Sequence, residues 1–75
     1  MGNFINDEIV IDDVDTLSKD LKWLMSECEA ADRDNNYGKY VNYADTLVYT
    51  NAKEAYVVGH ITKKQWNQLE MRYQQ

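Results

Sequence analysis

"VVGHITKKQW", residues 57–66, is the stretch that decides the architecture. An apolar run stops at Gly59, and a new pattern opens at Thr62. Gly59 suits the position just past a helix end, where a left-handed backbone closes the last carbonyls and glycine meets no Cβ clash. Thr62 suits the N-cap of a following helix. Gln65, three residues on, completes a capping box, and Ile61 and Trp66 stand at the positions of a hydrophobic staple. The stretch therefore predicts two helices joined by a tight corner.

Working outward, the helix after the corner should run over about 63–73, with Trp66, Leu69 and Tyr73 on one side. The helix before it should run over about 38–58. There Tyr37, Tyr40, Val41, Ala44, Leu47, Val48, Ala52, Ala55 and Val58 share one arc, and the small residues in its middle allow a neighbouring helix to approach closely. Upstream, Val14, Leu17, Leu21, Leu24, Cys28 and Ala31 recur in steps of three and four, with Met25 widening the stripe. That spacing predicts a first helix over about 14–33. "DRDNNYG", residues 32–38, interrupts with turn formers. There is no proline, so long helices are unobstructed. Residues 1–12 read differently. Ile9, Val10 and Ile11 favour extended backbone, but one strand is not stable alone, so an extended or loosely packed segment is expected. Asp12, Asp13 and Asp15 suit the cap and first turn of the first helix. The reading is one all-α, three-helix domain spanning residues 1–75.

A 75-residue chain is small for a self-sufficient core. Cys28 is the single cysteine, which excludes an internal disulfide. With no signal-peptide pattern, no apolar run near the ~20 residues of a membrane span, and Asn6 where a Gly2 myristoylation motif needs Ser or Thr, a cytoplasmic protein is expected. Residues 1–36 carry ten acids and three bases, whereas residues 37–75 carry three acids and five bases. Such an acidic front half repels phosphate and attracts basic surfaces. Asn, Lys, Tyr and Ile, whose codons are A/T-rich, make up 23 of the 75 residues, which points to an A/T-rich bacterial or phage genome.

Chemistry finds little footing. His60 is the only histidine and has no nucleophile or carboxylate set against it by spacing. Cys28 lies on the apolar seam, where a thiol is a small core side chain. Asp32, Asp34 and Asn36 imitate the start of a calcium loop, but Tyr37 stands where glycine is needed and Tyr43 where the bidentate Glu is needed. One His and one Cys do not make a zinc set. Glu27, Glu29 and Asp32 are expected to be solvated. No enzyme, metal or cofactor is expected.

Binding features are more evident. Trp23 points away from the seam of the first helix, among Thr16, Lys19, Asp20 and Glu27. It is either covered by the N-terminal segment or the last helix, or it is an interface anchor of the kind tryptophan often provides. Tyr49 and Tyr56, seven apart, form a second flank with Asp45. The last helix docks there, or the flank stays open with Met71 extending it. The expected partner-binding residues are thus Trp23, Asp12, Asp13, Asp15, Lys19, Asp20, Glu27, Tyr49 and Tyr56.

The set Gly59, Ile61, Thr62, Trp66 and Leu69 resembles the G-x-I-T-x-x-x-aromatic hairpin of SHOCT-like short helical modules over about fifteen residues. That resemblance implies an oligomerisation or interaction role. In size and acidity the chain also resembles phage-encoded inhibitors of the anti-CRISPR kind, which implies a protein partner with a basic surface that handles nucleic acid. Two alternatives stand beside this reading. One is a homodimeric structural module. The other is a helix-turn-helix DNA binder, supported only by Lys63, Lys64 and Arg72. Direct nucleic-acid or membrane binding is not expected.

Overall fold

The structure is a computed structural model, and the description covers residues 4–74. The Gly2 reading lies outside those residues. The chain is all-α, in three rods. A 3₁₀ turn, Val14–Thr16, precedes helix α1, Lys19–Arg33. The second rod occupies 37–57 without a break. It is built of α2 (Tyr37–Asp45), a π-helical stretch (Thr46–Ala52) and α3 (Lys53–Val57). The third rod is α4, Lys63–Arg72. Among the described residues there is no strand.

Both corners use the same physics. After α3, Gly59 adopts φ +84°. The His60 N–H donates to the Ala55 carbonyl at 2.8 Å and the Gly59 N–H to the Tyr56 carbonyl at 3.0 Å. This is the paired closure of a Schellman motif. Thr62 Oγ1 accepts from the Gln65 N–H at 3.0 Å, and Gln65 Oε1 accepts from the Thr62 N–H at 2.9 Å, so the capping box is complete. After α1, Asn35 takes glycine's role at φ 55°. The Asn36 N–H reaches the Ala31 carbonyl, and the Asn35 N–H reaches that of Asp32. Asn36 then caps α2, its side chain accepting from the Lys39 N–H at 3.1 Å. An added Cβ at Gly59 would meet nothing within 4 Å, so only the left-handed backbone opposes a side chain there. Gly59→Ala is therefore expected to cost about 1 kcal/mol, read as a lower urea midpoint with unchanged slope. No change in midpoint would mean the corner is not held in this form.

Helix α1 starts five residues later than the spacing of its apolar positions suggests. Asp13 is left-handed at φ 49°, the backbone at Leu17 is extended, and Ser18 is the N-cap, accepting from the Leu21 N–H. Asp12, Asp13 and Asp15 therefore do not cap the helix. Asp20 is the acid in its first turn. Val14, outside the helix, is exposed, while Leu17, Leu21, Leu24, Met25, Cys28 and Ala31 are buried.

The π-helical stretch corrects the register of the second rod. In an α-helix, positions four apart drift by about 40° per step. Here Tyr40, Ala44, Val48 and Ala52 are all buried, because steps of four fall short of a full turn in the wider π segment and offset the forward drift of the α-helical turns before it. Tyr37 and Val58, which an unbroken α-helix would place on the core arc, are more than half exposed.

Residues 4–12 form a strap over α4 and the C-terminal end of α1. Ile5 and Ile11 enter the core. Polar ties hold the backbone between them. Asp32, buried at the end of α1, accepts from the Phe4 N–H at 2.6 Å and, more distantly, from that of Ile5. The Arg72 guanidinium donates to the Ile9 carbonyl at 2.9 Å. Asp12 is clasped from α4: its N–H donates to Gln68 Oε1 and its carbonyl accepts from Gln65 Nε2, both at 2.8 Å. Asp32 is thus a structural acceptor rather than a solvated acid. Among the described residues no helix is long and apolar enough to cross a membrane.

Candidate functional site

Helix α1 and the second rod run antiparallel, and one edge of their seam carries the exposed aromatic group. Trp23 is 54% exposed. Neither the strap nor α4 covers it. Phe4, in the N-terminal segment, packs instead against Tyr37 and Tyr40, each with ring centroids 5.2 Å away. Trp23 is braced from one side by Tyr43, edge to face with centroids 5.6 Å apart. One turn further along, Glu27 pairs with Lys39 at 3.4 Å, and Lys39 also lies over the Tyr43 ring. This bracing limits the freedom of the indole while leaving much of its surface to solvent.

Toward the N-terminal end of α1 the seam opens into a trough. Its upper part, of about 180 Å³, lies between Asp20, Trp23 and Leu24 on α1 and Thr46 and Asn51 on the π segment. The adjoining part, of about 690 Å³, shares Asp20 and Asn51 and continues past Glu54 to His60. Asp20 and Glu54 are exposed and have no cationic partner among the described residues.

The other expected contact residues disperse. Lys19 is exposed on the first turn of α1, near this face. Asp13 and Asp15 are exposed in the 3₁₀ approach to it, where Thr16 bonds back to the Asp13 carbonyl and Lys22 Nζ reaches the Asp15 carbonyl at 3.0 Å. Asp12 pairs with Lys64 at 3.0 Å. Its hydrogen bonds to Lys64 and then Gln68 hold its carboxyl below the usual range, so this acid serves the strap. Tyr56 is stacked on Trp66, with centroids 4.8 Å apart and planes 21° apart. Tyr49 is 60% exposed beside Glu70 and Met71, on a different flank. The two tyrosines therefore do not form one patch. The π segment turns the residues after it relative to those before it, so a spacing of seven no longer means one side.

Cys28 is fully buried, and burial, then Glu29 and Glu27, push its thiol up to about 12. His60 is exposed at the corner. Among the described residues no three of His, Cys, Asp and Glu gather as a metal set. Of the three bases on and beside α4, Lys64 is engaged by Asp12 and Arg72 by the strap carbonyls. That leaves a weak basis for a recognition helix, which needs bases free to meet phosphate. No family model matches the chain, and no curated protein or solved structure shows significant similarity to it.

Proposed function

We propose that this chain is a non-enzymatic protein-interaction module. In its most specific form it is an inhibitor of phage or mobile-element origin, of the anti-CRISPR kind, acting in the host cytoplasm. Its partner is a nucleic-acid-handling protein, engaged through that protein's basic surface. The observation that carries the reading is Trp23: a half-exposed indole braced by Tyr43 at the end of a trough whose acids, Asp20 and Glu54, have no lysine or arginine partner among the described residues. Exposed, pre-ordered tryptophans bind at low entropic cost. Surrounding carboxylates add steering toward positive surfaces and penalise wrong partners.

The test is capture from bacterial lysate by the immobilised full chain at low and high salt, with the retained proteins identified. A nucleic-acid-handling protein should be retained and released as salt rises. Retention should fall by about tenfold or more when Trp23→Ala is combined with Asp13→Asn, Asp15→Asn and Asp20→Asn. Asp12 is left unaltered because it holds the strap. Equal retention by the variant, or a catch containing no such protein, overturns the reading.

A further inference from the structure

We infer that the trough running from Trp23 to Glu54 receives an arginine side chain on an extended segment of the protein partner. The inference rests on the interaction reading above and adds the chemistry of the contact. Three observations carry it.

The first is charge without a counterpart. Asp20 on α1 and Glu54 on the second rod both line the trough, from opposite walls, and neither has a cationic partner among the described residues. Four other acids are engaged, Glu27 by Lys39, Asp12 by Lys64, Asp32 by the strap and Glu29 by the Tyr73 hydroxyl, and Asp13 and Asp15, which have no ion pair among the described residues, do not line the trough. Two carboxylates facing one open space favour a cation that can meet both.

The second is the aromatic wall. Trp23 meets Tyr43 at 80° between planes, so Tyr43 braces one side and the rest of the indole surface stays open at the trough's end. A guanidinium suits this setting better than an ammonium. It is planar, stacks on an indole face, is weakly hydrated, and offers five donors in a rigid fork. Stacked against Trp23, it can direct that fork toward the carboxylates.

The third is the π segment, which shapes the opposite wall. Residues 46 and 51 would stand about 140° apart on an α-helix. The wider turns bring Thr46 and Asn51 to the same part of the trough. The Asn51 amide N–H₂ donates to the Thr46 carbonyl at 3.0 Å, which fixes the side chain and leaves its oxygen as a further acceptor. A π-helical departure at the edge of a recognition groove is a common association. Phosphate-bearing occupants are disfavoured by the same carboxylates.

Hexa-arginine amide and hexa-lysine amide are the probes, titrated into the full chain and followed through the Trp23 indole N–H in heteronuclear NMR spectra. A parallel fluorescence titration uses Trp66→Phe, so that Trp23 alone emits. Hexa-arginine should bind about five- to tenfold more tightly than hexa-lysine. The pair Asp20→Asn with Glu54→Gln should weaken it by about tenfold, as should Trp23→Ala, with circular dichroism unchanged. The pair Asp13→Asn with Asp15→Asn removes the same charge outside the trough and should weaken it less than about threefold. Equal losses for the two double variants, equal binding of the two peptides, or no binding overturns the inference. If lysate capture stays salt-sensitive and falls with the Trp23→Ala combination above, while Asp20→Asn with Glu54→Gln leaves hexa-arginine binding unchanged, the interaction reading stands and this assignment falls.

Discussion

Tyr40→Ala should remove about 3–5 kcal/mol, a large share of the stability of so small a chain. Tyr40 is fully buried, with its ring 5.2 Å from that of Phe4. Its hydroxyl donates to the Gln74 carbonyl at 2.6 Å and approaches the Phe4 carbonyl at 3.5 Å. One side chain on α2 thus joins the strap, the second rod and the chain's end. Truncating a buried aromatic to alanine costs about 3–5 kcal/mol. A domain of 75 residues has roughly 4–11 kcal/mol in total at the usual 0.05–0.15 kcal/mol per residue. Tyr40→Phe separates the two contributions. It keeps the ring and removes the hydrogen bond, so it should cost about 1 kcal/mol. Urea titrations of both variants check this. A loss below about 1 kcal/mol for Tyr40→Ala would show that the three parts do not meet at this ring.

Stability should also collapse on the alkaline side. Burial is the main cause that pushes the Cys28 thiol up to about 12, and burial likewise raises the hydroxyls of Tyr40 and Tyr73 above the ordinary tyrosine range. In the unfolded chain the thiol ionises near ~8.5 and the phenols near ~10. Folded pKa values above unfolded ones mean that the folded state holds protons the unfolded state releases. Their contribution is whole below pH ~8.5 and is lost as pH climbs toward the folded values. Each titrating group removes a little over ~1 kcal/mol per pH unit. By pH 11 the three together remove on the order of 6 kcal/mol. The melting temperature should be flat to about pH 9 and then fall steeply, and Cys28→Ala should delay the fall to about pH 10. A melting temperature unchanged at pH 11 would contradict the burial of these groups.

Local signals in the chain proved readable where they are short-ranged and physically redundant. Gly59, Thr62 and Gln65 act within one another's reach, so spacing alone reveals the corner. The Leu21, Leu24, Cys28, Ala31 seam is equally evident because helical periodicity repeats a single fact several times. Long-range polar pairings left no such trace. Nothing in the neighbourhood of Asp32 tells that its carboxylate meets backbone 28 residues away, and nothing around Gln65 tells that, besides closing the capping box, it holds Asp12. The π segment had a faint signature, the four-residue spacing of Tyr40, Ala44, Val48 and Ala52, which an α-helical reading absorbs into a broader arc. At the candidate site Trp23 stood out as a large aromatic off the seam. Its partner across the seam, Tyr43, and the wall made by Thr46, Asn51 and Glu54 depend on how two rods meet, which no stretch of either rod encodes alone.

The wide turns of the second rod have a practical corollary. A helix that keeps step with fours sorts its residues into columns. Asn42, Thr46, Thr50 and Glu54 form one solvent-facing column, and Asp45, Tyr49, Lys53 and Val57 form another. A label, crosslinker or charge reversal can therefore be moved along either column a tetrad at a time without touching the interior. A step of seven instead jumps from the first column to the second, and from Asp45 it lands on the buried Ala52.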